Sequence, residues 1–146
     1  MSLAEQYLKA AQESPFLVIK YNYNNSKSAA RYICISRDCT KLTWGTRESK
    51  LKEFVFLKDV TRVVLGLRSQ NLKRHNSIKQ IAEPWNCFAV FLSFGRTLDL
   101  CAESALAART FVMALQFLVK QRFPGIIQHV GFQLRARCEM EVVFLK

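Results

Sequence analysis

Residues 87–101 have the sequence CFAVFLSFGRTLDLC, and this stretch decides the fold. Two apolar runs, 87–94 and 97–101, flank a short turn at Gly95, so the pattern predicts two antiparallel strands joined by a hairpin. The period then changes: within residues 104–120, apolar side chains recur at spacings of three and four, which indicates an amphipathic helix. The apolar positions of this helix are Ala108, Phe111, Val112, Leu115 and Leu118.

Short apolar runs separated by polar turns also fill the chain before this hairpin. They are rich in β-branched and aromatic residues, which suit a half-buried pleated sheet, and no helix is predicted between residues 16 and 100. We therefore expect a mainly β (α+β) fold, a seven-stranded antiparallel barrel or sandwich capped by a C-terminal helix, with a short amphipathic helix at the N-terminus. The five further strand-like runs are 16–23, 31–36, 41–44, 53–56 and 61–66.

Two polar segments have predicted roles around these strands. Residues 70–83 are rich in Lys, Arg and Asn, and we expect them to form the longest inserted loop and to be mobile. Ser104 is a suitable N-cap for the C-terminal helix, which should end near Pro124 and Gly125.

Composition limits the protein to one domain and indicates its partners. The chain has 146 residues, half of them hydrophobic, which is enough for a single core. Lys and Arg number 22 against 11 acidic residues, so the net charge of +11 should attract phosphates or an anionic membrane surface. Residues 1–14 lack the continuous apolar stretch of a signal peptide, and the apolar run at 84–95 is shorter than the roughly 20 residues that span a bilayer. We expect a cytoplasmic protein whose membrane contact is peripheral.

Cysteine and histidine usage does not indicate a metal or cofactor site. The five cysteines are odd in number, lie mostly within apolar runs and lack C-x-x-C spacing, so we interpret them as small buried hydrophobes in a reducing compartment. His75 lies in a polar loop and is expected to be exposed. No Ser-His-Asp, Cys-His or paired-carboxylate arrangement is suggested, so we do not expect an enzyme. The cysteines are Cys34, Cys39, Cys87, Cys101 and Cys138.

Several segments, in order, resemble a known family. DVTRVVLGLRSQNLK at 59–73, the stretch 87–101 and AARTFVMAL at 107–115 look like the second half of the pleckstrin-homology domain found at the start of phosphoinositide-specific phospholipase C enzymes. RYICI at 31–35 resembles the second strand of that domain. The resemblance covers about 16–120. The family usually has Trp on the inner face of the last helix, whereas this chain has Phe111, which keeps an aromatic ring there.

The resemblance implies one pleckstrin-homology-like domain over residues 1–125, followed by a C-terminal extension over 126–146. This extension looks strand-like and ends in a run of four apolar residues, which should pack on the domain, pair with a sheet edge or contact a partner. The predicted partner interface consists of Val142, Val143, Phe144 and Leu145.

The resemblance also implies a binding site. In lipid-binding members of the family, the first two strands and their loop form a basic cup, where Arg offers a planar fork and Lys a mobile point charge to phosphate groups. Here the cup is depleted, because Ala29 stands where strong binders have a basic residue; basic residues of the next loop could compensate. The predicted lipid- or phosphate-binding residues are Lys20, Lys27 and Arg31, with Arg47, Lys50 and Lys52 from that next loop.

Two functions remain open from sequence. The leading hypothesis is a membrane-recruitment module that binds phosphoinositide head groups or anionic lipid. The alternative is a scaffolding module of the same fold that binds a protein partner or a second copy of itself. Nucleic acid is not the expected partner, because basic residues are spread widely and no recognition helix or aromatic-lined groove stands out.

Overall fold

The computed structural model of the protein describes residues 1–121. Within them, seven antiparallel strands form one curled sheet, and each strand lies within a few residues of its predicted bounds. The strands are β1 (Phe16–Tyr21), β2 (Ser28–Ile35), β3 (Lys41–Gly45), β4 (Glu53–Phe56), β5 (Val60–Leu65), β6 (Cys87–Leu92) and β7 (Thr97–Ala102). Their order across the sheet is β4-β3-β2-β1-β7-β6-β5, which places β1 in the centre, paired with β2 on one side and β7 on the other.

Helices precede and follow the sheet as the sequence predicts. α1 (Leu3–Glu13) begins at Ser2, whose hydroxyl accepts a hydrogen bond from the Glu5 amide at 3.2 Å. α3 (Ala105–Gln121) begins after Ser104, whose hydroxyl accepts from the Ala107 amide at 3.0 Å. Both side chains satisfy amides that have no partner within their helix, so the N-cap prediction for Ser104 is confirmed. No helix within residues 1–121 is both long and apolar enough to cross a bilayer.

A third helix contradicts the prediction of a mobile loop. α2 (Gln70–Ser77) lies in the connection between β5 and β6 and begins at Ser69, whose hydroxyl accepts from the Leu72 amide at 3.0 Å. This helix was not predicted from sequence because its buried side is largely polar. Asn71 and His75 are buried beside Leu72, and their hydrogen bonds take the place of the usual apolar stripe. The prediction that His75 is exposed was therefore wrong, since its exposed fraction is 0%.

The main core lies between the inner face of the sheet and α3. Phe111, where the sequence resemblance leads us to expect an aromatic ring, is fully buried and packs edge-on against Phe16, with ring centroids 4.9 Å apart. Trp44 is 8% exposed, as expected for a core residue. Full burial of such side chains contributes about 1.5–3 kcal/mol each to stability. Other members of this core are Val18, Ile33, Leu42, Val90, Leu100, Ala108 and Leu115.

A smaller apolar cluster lies on the outer face of the sheet, beneath α2. Tyr21 of β1, Leu72 of α2 and Ile81 are its largest members. Cys87 and Cys101 are buried here, as predicted, whereas Cys34 and Cys39 are partly exposed. The outer cluster fixes α2 to the strands that lead to the candidate site. Cys138, the extension at 126–146 and the predicted interface Val142, Val143, Phe144 and Leu145 lie outside the described residues.

Candidate functional site

Three connections lie at the same end of the sheet. Because neighbouring strands are antiparallel, the turns β1–β2 (residues 22–27), β3–β4 (46–52) and β6–β7 (93–96) all follow strands that run in the same direction, whereas α3 begins after the opposite end of β7. We call this region, formed by residues 22–27, 46–52 and 93–96, the open end. All six predicted binding residues lie on these connections or on the adjoining strands.

Lys20 and Arg31 lie on the inner face of the sheet, next to the core. Lys20 follows the buried Val18 by two residues on β1, and Arg31 is directly opposite Val18 on β2. Side chains alternate between the two faces of a strand, so both cationic side chains share the face of Val18. Both are half-buried. Lys20 is opposite Ala29, so this small side chain leaves the ammonium group without a cationic neighbour at that position.

The electrostatic environment of Lys20 shows which charges meet there. Its pKa is lowered from the ordinary lysine value, first because burial disfavours the ammonium form. The positive charges of Arg31 and Arg96 also lower this pKa, whereas Glu53 and Asp99 act in the opposite direction. Lys20 therefore interacts with two like charges, those of Arg31 and Arg96, and more strongly with the carboxylate of Glu53. We call Lys20, Arg31 and Arg96 the cationic cluster, and an anion bound among them would favour the charged form of Lys20.

Arg96 was missed from the sequence. It lies in the turn before β7, two residues before the buried Leu98, and its guanidinium carbon is 5.0 Å from the centroid of the Tyr23 ring. The Tyr23 hydroxyl donates to the Gly95 carbonyl at 3.4 Å, which joins the β1–β2 and β6–β7 turns. The alternation Arg96, Leu98, Leu100 is the signal that could have identified it, because it extends the inward-facing set of β7 into the turn.

The other four predicted residues are exposed on loops of the open end. The Lys27 amide donates to the Asn25 side chain at 2.8 Å, and the Lys50 amide donates to the Arg47 carbonyl at 3.1 Å, so local turns fix both main chains. Lys52 directly precedes β4. Exposed cations of this kind add long-range positive potential and do not define a pocket by themselves.

No carboxylate forms a salt bridge with this cationic cluster within residues 1–121. The ion pair found among residues 1–121 joins Lys9 and Glu13, at 3.7 Å, on the surface of α1 and away from the cluster. Lys20 and Arg31 are half-buried and Arg96 is exposed beside them. Such a set of cations without a salt bridge is suited to bind a multiply charged anion, since the arginine fork and the lysine ammonium both donate hydrogen bonds to phosphate oxygens.

The β1–β2 turn is held in place by side chains from α2 and from just after it. Arg74 and His75 belong to α2, and Gln80 follows it; none was identified from sequence. Each of the three donates to main-chain carbonyl oxygens of the turn. Arg74 donates to Tyr23 at 3.0 Å, to Asn25 at 3.0 Å and to Asn22 at 3.3 Å, the His75 Nε2 donates to Asn22 at 2.9 Å, and Gln80 donates to Ser26 at 2.6 Å.

A buried carboxylate attaches α2 to the sheet. Asp99 on β7 is fully buried and accepts hydrogen bonds from Ser69, from Asn71 at 2.8 Å and from Thr97 at 2.8 Å. Ser69 is also the N-cap of α2. Asp99 therefore fixes the beginning of α2 against the strand that pairs with β1, and so sets the position of the side chains that hold the β1–β2 turn.

Gly45, at the end of β3, permits a close approach of the β3–β4 connection. A Cβ atom there would lie 2.2 Å from the Lys50 carbonyl oxygen and 3.0 Å from the Leu51 Cα. We expect Gly45→Ala to lower the free energy of unfolding by about 2 kcal/mol, because main-chain atoms must move to relieve the overlap. Chemical denaturation would measure the loss.

Gly95→Ala is the matched control for this prediction. Gly95 has a φ of +83° and open space around it, so alanine there should cost only about 1 kcal/mol of backbone strain. Equal losses in the two variants would contradict the role assigned to the close approach at Gly45.

Another concave region has the opposite charge. A cleft of about 410 Å³ is lined in part by Phe16, Leu17, Tyr32, Glu48 and Glu103. The two carboxylates would repel an anion, and Glu48 belongs to the β3–β4 connection, so this side of the open end is less favourable for phosphate than the surroundings of Lys20 and Arg31. Within residues 1–121, His, Cys, Asp and Glu side chains form no group of three that could hold a metal ion.

Comparisons with known proteins show the fold. No protein-family model and no curated protein matches the sequence. Among solved structures, PLC21 of S. officinalis matches with a TM-score of 0.60 and 11% identity over 75% of this chain, which spans 16% of that protein. The PH domain of human oxysterol binding protein-related protein 11 matches at 0.54 and 15% identity, covering 77% of this chain and 83% of that one. The carboxyl-terminal PH domain of pleckstrin matches at 0.53 and 12% identity, covering 72% and 94%. These likenesses confirm the pleckstrin-homology fold predicted from sequence.

Proposed function

We propose that this chain, whose fold is that of pleckstrin-homology domains, is a non-catalytic module that recruits its parent protein to membranes by binding phosphoinositide head groups or other anionic lipid at the open end. The single observation that supports this most is the cluster of Lys20, Arg31 and Arg96 beside the core. It would place the protein in the cytoplasm, peripherally attached to a membrane.

The cations at and next to the open end would have two different roles. Lys20, Arg31 and Arg96 are supported by strands or a tight turn, so they would donate hydrogen bonds to the phosphate groups of one head group. The exposed loop cations would be drawn to the membrane surface, where each contributes on the order of 1 kcal/mol. This second group consists of Lys27, Arg47, Lys50 and Lys52.

Vesicle co-sedimentation tests the proposal directly. The protein would be mixed with vesicles that contain no anionic lipid, phosphatidylserine or one of several phosphoinositides, at about 0.1 M and about 0.5 M salt. We expect binding to phosphoinositide vesicles at both salt concentrations, with weaker binding at the higher one, because half-buried cations are screened less than exposed ones. Failure to bind any anionic vesicle at the lower concentration would reject the proposal.

A second candidate function is protein binding at the β4 edge of the sheet. Phe54 and Phe56 are 44% and 40% exposed on this strand, with ring centroids 5.1 Å apart, and the Lys41 ammonium is 4.6 Å from the Phe54 ring. Exposed aromatic side chains on an edge strand favour contact with another chain. The predicted apolar interface at 142–145 could supply that contact in a second copy. In that case Val143→Asp should change the oligomeric state in light scattering, whereas the membrane proposal expects no change.

A further inference from the structure

We propose that α2 is a positioning element for the open end: Arg74, His75 and Gln80 hold the β1–β2 turn in the conformation that accepts a phosphate-bearing ligand. This inference rests on the proposed function, since it concerns the same site. It assigns a role to residues that do not themselves contact the ligand.

The carbonyl oxygens of the β1–β2 turn point toward α2. Four of them, those of Asn22, Tyr23, Asn25 and Ser26, accept hydrogen bonds from Arg74, His75 and Gln80. Carbonyl oxygens have partial negative charge and would repel phosphate oxygens if they faced the ligand. α2 packs over the outer face of the sheet, whereas Lys20 and Arg31 lie on the inner face. The bonds to α2 therefore direct these oxygens away from the cationic cluster.

The contacts with α2 also restrict the conformations of the β1–β2 turn before a ligand binds. Residues 22–27 have no regular secondary structure, and a turn of this kind loses conformational freedom when a ligand fixes it. Side chains of α2 fix it before binding, so the ligand does not bear that entropic cost. One amino group of Arg74 lies within hydrogen-bond distance of three of these carbonyls, which share its two N–H groups, so Arg74 is the principal contact.

α2 is itself held rigidly against the sheet. α2 is attached at its beginning through Ser69 and Asn71 to the buried carboxylate of Asp99, and at its centre through the fully buried Leu72. His75 is also buried and packs against the Tyr21 ring, with centroids 5.1 Å apart. A helix attached at several points can hold a turn in one position, whereas a mobile loop could not.

The experiment compares Arg74→Ala and Gln80→Ala with Lys73→Ala in the full chain. Lys73 is exposed and is adjacent to Arg74 in α2. Lys73→Ala removes the same charge as Arg74→Ala but leaves the hydrogen bonds between Arg74 and the turn in place. Two properties are measured: hydrogen exchange of the amides in residues 22–27 without ligand, and binding as a function of salt concentration. The probes are vesicles with phosphatidylinositol bisphosphate and soluble inositol trisphosphate, which distinguish a membrane-bound head group from the free phosphate compound.

We expect Arg74→Ala to speed exchange in residues 22–27 and to weaken binding about tenfold relative to Lys73→Ala, with the same salt dependence of the affinity as in Lys73→Ala, because each variant loses one positive charge and neither loses a ligand contact. Gln80→Ala should have a smaller effect of the same kind, and Lys73→Ala should leave exchange unaltered. Unchanged exchange in Arg74→Ala, or faster exchange without weaker binding, would overturn the inference. A shallower salt dependence in Arg74→Ala than in Lys73→Ala would also overturn it, since the two variants lose the same charge and Arg74 would then contact the ligand directly. Failure of the unmodified protein to bind either probe would instead reject the proposed function on which the inference rests.

Discussion

Replacing Lys20 and Arg31 together with alanine is expected to weaken binding to phosphoinositide vesicles at least about 100-fold. Each side chain would donate charge-assisted hydrogen bonds to phosphate, and such bonds contribute about 1.5–3 kcal/mol each. The loss of both therefore corresponds to roughly 3 kcal/mol or more, where every 1.4 kcal/mol is tenfold in affinity. Isothermal titration with vesicles would measure the change.

The same double variant should fold normally. Both side chains are half-buried, and the pKa of Lys20 is lowered chiefly because burial disfavours its charged form, so its removal relieves an unfavourable term. The matched control is Arg37→Ala with Lys9→Ala, which removes two exposed charges that lie near each other at the β2–β3 turn, at the opposite end of β2 from the β1–β2 turn. This control should retain most of the affinity. Intact pelleting by the Lys20 and Arg31 variant would show that the open end is not the site.

Replacing Asp99 with alanine is expected to cause the largest loss of stability, about 3–5 kcal/mol. The carboxylate is fully buried, and its removal leaves the donors of Ser69, Asn71 and Thr97 without their shared acceptor. α2 should then separate from the sheet and release the β1–β2 turn. Urea denaturation would measure the free energy of unfolding, and hydrogen exchange in residues 70–77 would report on α2.

Asp99→Asn is the control for this prediction, because it keeps the shape and one acceptor oxygen. We expect a smaller loss than with alanine, since at least one of the three donors keeps its partner. A loss of less than about 1 kcal/mol in Asp99→Ala would show that the buried hydrogen bonds of α2 contribute little to stability.

Local periodicity was sufficient to predict the strands and α3 from sequence. The spacing of Ala108, Phe111 and Leu115 identifies a helix with one buried face, and all three are fully buried. α2 could not be found in this way, because its buried Asn71 and His75 are hydrogen-bonded to groups more than 20 positions away in the sequence. Such polar contacts depend on tertiary structure, which local patterns do not encode.

The candidate site was predicted from sequence only in part, because one of its cations joins the others through a long-range strand pairing. The alternation of β1 places Lys20 on the face of Val18, and the pairing of β1 with β2 adds Arg31. Arg96 joins them only through the pairing of β1 with β7, which connects segments about 80 residues apart. Long-range pairing of this kind brings charges together without leaving a local pattern in the sequence.

The central position of β1 has a mechanical consequence. Within residues 1–121 the sheet ends at β4 and β5, and strands at such borders lose their hydrogen bonds first when a domain opens partially. β1, bonded on both sides, would be among the last strands to separate. A force that pulls the protein from an anchored ligand would thus disrupt the periphery while the strand that bears Lys20 stays intact.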